Sequence, residues 1–113
     1  MTSPTGASPE GHGPEAPLFH IAEPTDWDAA GSHYRAPSLD TEGFIHLSAE
    51  HQVVSTTQRH YAGRTGLLLL VIDPLRLEGA GIRWEPAPDG EEFPHLYGPL
   101  PVSAVTATRP WPD

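Results

Sequence analysis

The chain has 113 residues, a formal net charge of −9 and no cysteine. One domain is the default at that length, and disulfides, thiolate zinc sites and cysteine nucleophiles are excluded, as suits a cytoplasmic protein. All six Lys/Arg positions are arginines, far short of the dense basic footprint that nucleic acid or an anionic membrane surface demands, which leaves a small-molecule ligand or a protein partner.

Residues 1–17 are punctuated by Pro4, Pro9, Pro14 and Pro17 with Gly6, Gly11 and Gly13 between them. Such a segment buries too little apolar surface to offset its ordering entropy, so a disordered tail is expected, with His12 a bystander in it. It has neither the basic start nor the apolar stretch of a secretory signal. Residues 18–113 then read as one domain. Leu18-Phe19-His20-Ile21-Ala22 predicts a short strand with Phe19 and Ile21 on one face. Thr25 is the expected N-cap of a short helix with Asp26 and Asp28 in its acidic first turn, ended by Gly31. Trp27 is expected to plug that helix into the core. Ser32 to Thr41 reads as loop.

Glu42-Gly43-Phe44-Ile45-His46-Leu47-Ser48 predicts a loop glycine, a strand and a helix start. On a pleated strand His46 points opposite to Ile45 and Leu47. If those two face the core, the imidazole faces a second surface that needs a reason to be polar. Ser48 is the expected cap of a helix over 49–62, with Val53, Val54, Thr57 and Tyr61 near one face and Gly63 as its stop. Leu67 to Ile72, the longest apolar run, is far below the roughly 20 residues of a membrane span and suits a central strand covered on both faces. Ile82-Arg83-Trp84-Glu85 predicts a strand closed by Pro86 and the Pro88-Asp89-Gly90 turn. Phe93 to Pro101 reads as a proline-stiffened loop, and Val102 to Arg109 as a half-exposed strand. Strands with two interleaved helices give an α+β domain with small mixed or antiparallel sheets.

Two rigidly framed histidines, His46 and His95, mark a candidate site. Prolines restrict the chain around His95, so its side chain is held in place, and Gly98 permits close approach by a ligand. The plainer readings are a histidine bonded to backbone for His46 and a packed loop of Phe93, Leu96 and Tyr97 for His95. Arg83 and Glu85 share a strand face, where Glu85 can polarise a hydroxyl and Arg83 can hold an anion, or the two form a surface ion pair. No HxH, HxxxH or HExxH spacing links the ordered histidines, so no metal is expected, although His20, His46, His95 and Glu85 are a ligand set if they converge. No serine sits in a Gly-x-Ser-x-Gly elbow, and no GxGxxG or GxxxxGK[ST] loop is present.

Leu18–Ala22, Glu42–Ser48, Leu67–Pro74, Ile82–Glu85 and Phe93–Pro101 together resemble the bacterial family called domain of unknown function 952, over nearly all of residues 18–110. That resemblance implies a fold similar to the ADP-ribosyltransferases. Within that group the motif order is similar to the NAD-dependent RNA 2′-phosphotransferases. Those proteins carry a His-Gly-Thr strand where Phe19-His20-Ile21 stands here. Their His-Val-His-Leu-Ser strand is matched by Phe44-Ile45-His46-Leu47-Ser48, and their Leu-rich strand ending in Ile-Asp by Leu70-Val71-Ile72-Asp73. The resemblance implies that His20 holds a ribose hydroxyl and that His46 lines the same cleft, with NAD the candidate cofactor. Ile21-Ala22 departs from the Gly-Thr against which nicotinamide lies, and no residue clearly matches the family's catalytic glutamate, for which Glu85 is the nearest candidate.

The resulting expectation is a small enzyme acting on a nucleotide-like or phosphorylated molecule, with His46, His95 and Glu85 catalytic. His20, Tyr34, Arg35, Ser38, Arg83 and Tyr97 are the expected ligand contacts. The alternatives are a non-catalytic binding module and a metal-independent acid–base enzyme on the same scaffold. The oligomeric state is open.

Overall fold

The computed structural model of the chain describes residues 16–77, 79 and 81–112. Of the tail expected over residues 1–17, residues 1–15, with His12, lie outside the described residues.

The elements are β1 (Leu18–Ala22), α1 (Pro24–Asp28), β2 (His33–Tyr34), α2 (Pro37–Thr41), β3 (Ile45–His46), a 3-10 turn (Glu50–Gln52) leading into α3 (Val53–His60), β4 (Leu67–Ile72), β5 (Gly81–Pro86), β6 (Glu92–Tyr97), β7 (Leu100–Pro101) and β8 (Val105–Trp111). They pair as three small sheets, β1-β4-β8, β2-β7 and β3-β6-β5, and every pairing is antiparallel. The α+β class is as expected. Of the two pairings expected, mixed or antiparallel, the antiparallel one is found: among the described residues no strands run parallel.

The run Leu67–Ile72 is central, as expected, between β1 and β8. Leu67 and Leu69 pack with Phe19, Ile21 and Val53 on one face, while Leu70 and Ile72 join Leu18, Ala22, Ile45 and Leu96 on the other. Period-two alternation thus feeds two apolar layers, and both strand faces are covered. β1 obeys the same alternation, which sets His20 on the Leu18–Ala22 face, directly opposite Leu70. A reciprocal bridge joins the first sheet to the β3 segment: Phe19 N donates to Ser48 O at 2.8 Å and Ser48 N to Phe19 O at 2.7 Å. This bridge brings His20 beside His46.

Several local expectations are corrected. Thr25 does not cap α1. Pro24 occupies the first helical position, where its fixed φ and missing N–H cost nothing, and the helix ends at Asp28, before Gly31. Pro37 starts α2 in the same way, so the stretch expected as loop holds both β2 and α2. Ser48 does not cap the following helix either. Its backbone is used by the bridge to Phe19, its Oγ lies 3.1 Å from Thr56 Oγ1, and the entry is closed instead by Ala49 N donating to Gln52 Oε1 at 2.9 Å. The regular helix therefore begins only at Val53, and Val54 faces solvent rather than the core. Trp27 and Tyr61 do pack against the apolar clusters.

The largest correction concerns His95, which lies on strand β6 and not in a loop. Pro94 and Leu96 are buried while Phe93, His95 and Tyr97 alternate with them. A proline without a donor is tolerated in β6 because its carbonyl still accepts from Leu47 N at 3.0 Å. The last strand starts three residues later than expected, after a 3-10 turn at Val102–Ala104, and is largely exposed as a sheet edge. Among the described residues no helix is long and apolar enough to cross a membrane.

Candidate functional site

Ile45 and Leu47 are fully buried and His46 is exposed between them, so the polar position faces a second surface as its spacing requires. That surface is the mouth of a cavity of about 460 Å³ lined by His20, Tyr34, Ser38 and His46, with Glu23, Asp26, Glu42, Ser48, Thr56, His60 and Tyr61 completing its walls. β1 supplies His20, β2 supplies Tyr34, and the start of α2 supplies Ser38.

The floor of the cavity is a fixed hydrogen-bond chain. His20 is buried; its Nδ1 donates to the His46 carbonyl at 2.7 Å and its Nε2 lies 2.9 Å from the Tyr34 hydroxyl. Burial lowers the His20 pKa to about 4, outweighing the backbone bond that favours the charged ring. The ring is therefore neutral near pH 7. Burial also raises the Tyr34 pKa, helped by the Asp26 carboxylate nearby, so the phenol keeps its proton. Tyr34→Phe is expected to leave His20 Nε2 without its protein partner. It should lower stability by about 1–3 kcal/mol in urea denaturation.

A second polar group occupies the outward face of β3-β6-β5. His46 and His95 are directly paired across β3 and β6, with ring centroids 5.3 Å apart. His95 Nδ1 donates to Glu85 Oε1 at 2.7 Å, and the Tyr97 hydroxyl donates to the same oxygen at 2.6 Å. These two bonds, Tyr97 first, hold the Glu85 pKa below its ordinary value. Phe44 stacks on His95 with centroids 4.1 Å apart, and Arg83 lies over the Tyr97 ring at 4.7 Å.

His46 thus belongs to both groups: it lines the cavity and touches the sheet face. The cavity takes His20, Tyr34, Ser38 and His46, whereas His95, Glu85, Tyr97 and Arg83 gather on the face beyond Phe44. Arg35 joins neither. It pairs with Asp40 at 2.7 Å and borders a separate open depression with His33, Tyr97 and Pro99. Ser38 Oγ donates to the Phe44 carbonyl at 2.7 Å, tying α2 to the β3 segment. Among the described residues no three histidine or acidic side chains gather as a metal set. The sequence reading missed Glu42, Asp26 and His60 as cavity residues. Glu42 was nearest to discovery, since it opens the His46 segment, and its carboxylate lies 3.1 Å from His46 Nε2.

The chain is therefore an α+β domain of small antiparallel sheets, with a cavity where His20, Tyr34 and His46 meet from three of them. It belongs to the family described as Protein of unknown function (DUF952), whose model matches residues 21–108. It is similar to the crystal structure of protein CC0527 from Caulobacter crescentus, with 35% identity and a TM-score of 0.75 over 83% of this chain and 84% of that one. The solution NMR structure of CC0527 gives 34% identity and a TM-score of 0.69 over 83% of each chain. No curated protein matches the chain.

Proposed function

We propose that the chain is a small enzyme of ADP-ribosyltransferase-like fold that acts on a nucleotide-like molecule. The ribosyl portion sits in the His20–Tyr34 cavity, and His46 serves as proton donor or acceptor at its mouth. The observation that carries this reading is convergence: His20, Tyr34, Ser38 and His46 come from four separate segments and line one cavity. Its volume of about 460 Å³ is in the range of small-molecule sites. Breaking a ribosyl bond passes through an oxocarbenium-like state, which nearby carboxylates favour. Glu42 and Asp26 supply them at the cavity wall. In this reading Glu85 does not touch the ligand but orients His95, the second imidazole beside His46. NAD is a candidate ligand, with Ile21 in the cavity wall where the resembling proteins have glycine.

A non-catalytic binding module is the second reading. It is favoured by the commitment of both His20 ring nitrogens to protein groups, which leaves that histidine as scaffold.

Thermal-shift titration with adenosine, ADP-ribose and NAD at millimolar concentration tests the proposal. A ligand at ten times its Kd should raise Tm by a few degrees, on the order of 5 °C. His46→Ala should abolish turnover of any ligand that is consumed. No stabilisation by any of the three would defeat both readings, and binding without product formation would leave the module.

A further inference from the structure

The polarity of the cavity floor is fixed by elementary hydrogen-bond logic. The His46 carbonyl can only accept, so the proton of neutral His20 sits on Nδ1 and Nε2 offers a lone pair. The Tyr34 hydroxyl must spend its one proton there. What Tyr34 presents to the cavity is then an oxygen that accepts and cannot donate. Ser38 is in the same position, because its hydroxyl proton is given to the Phe44 carbonyl.

The charged groups of the wall extend the pattern. Glu23 is neutralised by Arg64, which reaches both its carboxylate oxygens at 2.9 and 2.8 Å, and Glu42 is engaged by His46. Asp26 is half-buried, and among the described residues no hydrogen bond or ion pair ties its carboxylate. Among the described residues no arginine lines the cavity, and its candidate donors are the His46 and His60 imidazoles, the Tyr61 hydroxyl and the Ser48–Thr56 hydroxyl pair. A phosphate needs converging donors and positive charge. An ammonium or a set of hydroxyls needs what Tyr34, Ser38 and Asp26 offer.

We propose that the cavity selects the hydroxyl- or amine-bearing, unphosphorylated portion of its ligand, with Asp26 the residue that recognises a cationic nitrogen. Phosphate groups stay outside. The inference rests on the reading of the cavity as the ligand site and adds the chemical class that it accepts.

Calorimetric titration of the full chain with four ligands on one scaffold tests it: adenosine, its 5′-amino-5′-deoxy and 3′-amino-3′-deoxy analogues as the amine class, and adenosine monophosphate. At least one amine should bind about tenfold more tightly than adenosine, and the monophosphate no more tightly than adenosine. Asp26→Asn should erase the amine gain, so that the amines bind the variant no more tightly than adenosine binds it, since losing the charge weakens the bond to a charged ligand most. Tightest binding by the monophosphate, or an amine gain that survives Asp26→Asn, would overturn the proposal. Equal binding of all ligands would overturn it and leave the cavity as the ligand site. Binding by none would overturn the preceding reading as well.

Discussion

Leu70→Ala is expected to lower the stability of the domain by about 2–5 kcal/mol. Leu70 has no exposed surface and sits on the central strand of the first sheet, against Ile45 and Leu96 of the third sheet in one apolar cluster. Truncation removes apolar contact and leaves a cavity that the surrounding sheets, locked by antiparallel pairing, cannot collapse to fill. Against a total stability of roughly 5–15 kcal/mol for a domain of this kind, the loss is a large fraction. The effect also reaches the site, because Leu70 is the direct cross-strand partner of His20. Urea denaturation measures it. Leu75→Ala, at a residue 68% exposed, is the control and should change stability by no more than about 0.5 kcal/mol.

Stability should also rise with pH between about 4 and 6.5, with His20 as a principal cause. Burial depresses its folded-state pKa to about 4, whereas the unfolded ring titrates near 6.5. Between those values the unfolded chain binds the extra proton, so acidification favours unfolding. The contribution is fully present above pH 6.5, is lost progressively as pH falls, and levels off below pH 4. The total change is about 3 kcal/mol. The contribution of Glu85, whose pKa is held low, is present above the ordinary carboxylate pKa and is lost as pH falls from there through the lowered one, so it stays out of the interval from pH 5 to 6.5. Denaturation midpoints followed across that interval should slope upward in the wild type and flatten in His20→Gln. An unchanged slope in His20→Gln would mean that other groups carry the pH dependence.

The sequence was most legible where one force dominated. Leu67 to Ile72 announces a doubly covered strand because nothing polar interrupts it, and the alternation Ile45-His46-Leu47 announces an outward histidine. It was least legible where tertiary contacts overrode a local signal. Ser48 has the chemistry of a helix cap, yet its backbone is taken by the bridge to Phe19, so the helix starts later. Pro94 signals a loop, yet its flanking alternation and the acceptor role of its carbonyl keep it in β6. Pro37 is readable as a helix start, and reading Ser32 to Thr41 as loop hides α2 altogether.

The candidate site divides in the same way. His20, Tyr34, Ser38 and His46 were marked from the sequence and meet in the cavity. Glu85 and His95 were marked separately as catalytic candidates and bond to each other, but on the neighbouring sheet face. Asp26 was read only as a helix-dipole acid. No local pattern distinguishes that role from a cavity wall, since the difference depends on how α1 packs beside β2.

Imidazole nitrogen NMR of the full chain during titration with adenosine tests the central claim most directly. The account predicts that His46 resonances move on binding while His20 remains neutral with its proton on Nδ1. Saturable binding that leaves His46 and His20 unmoved, or that shifts only His33 at the open depression beside Tyr97, would contradict it.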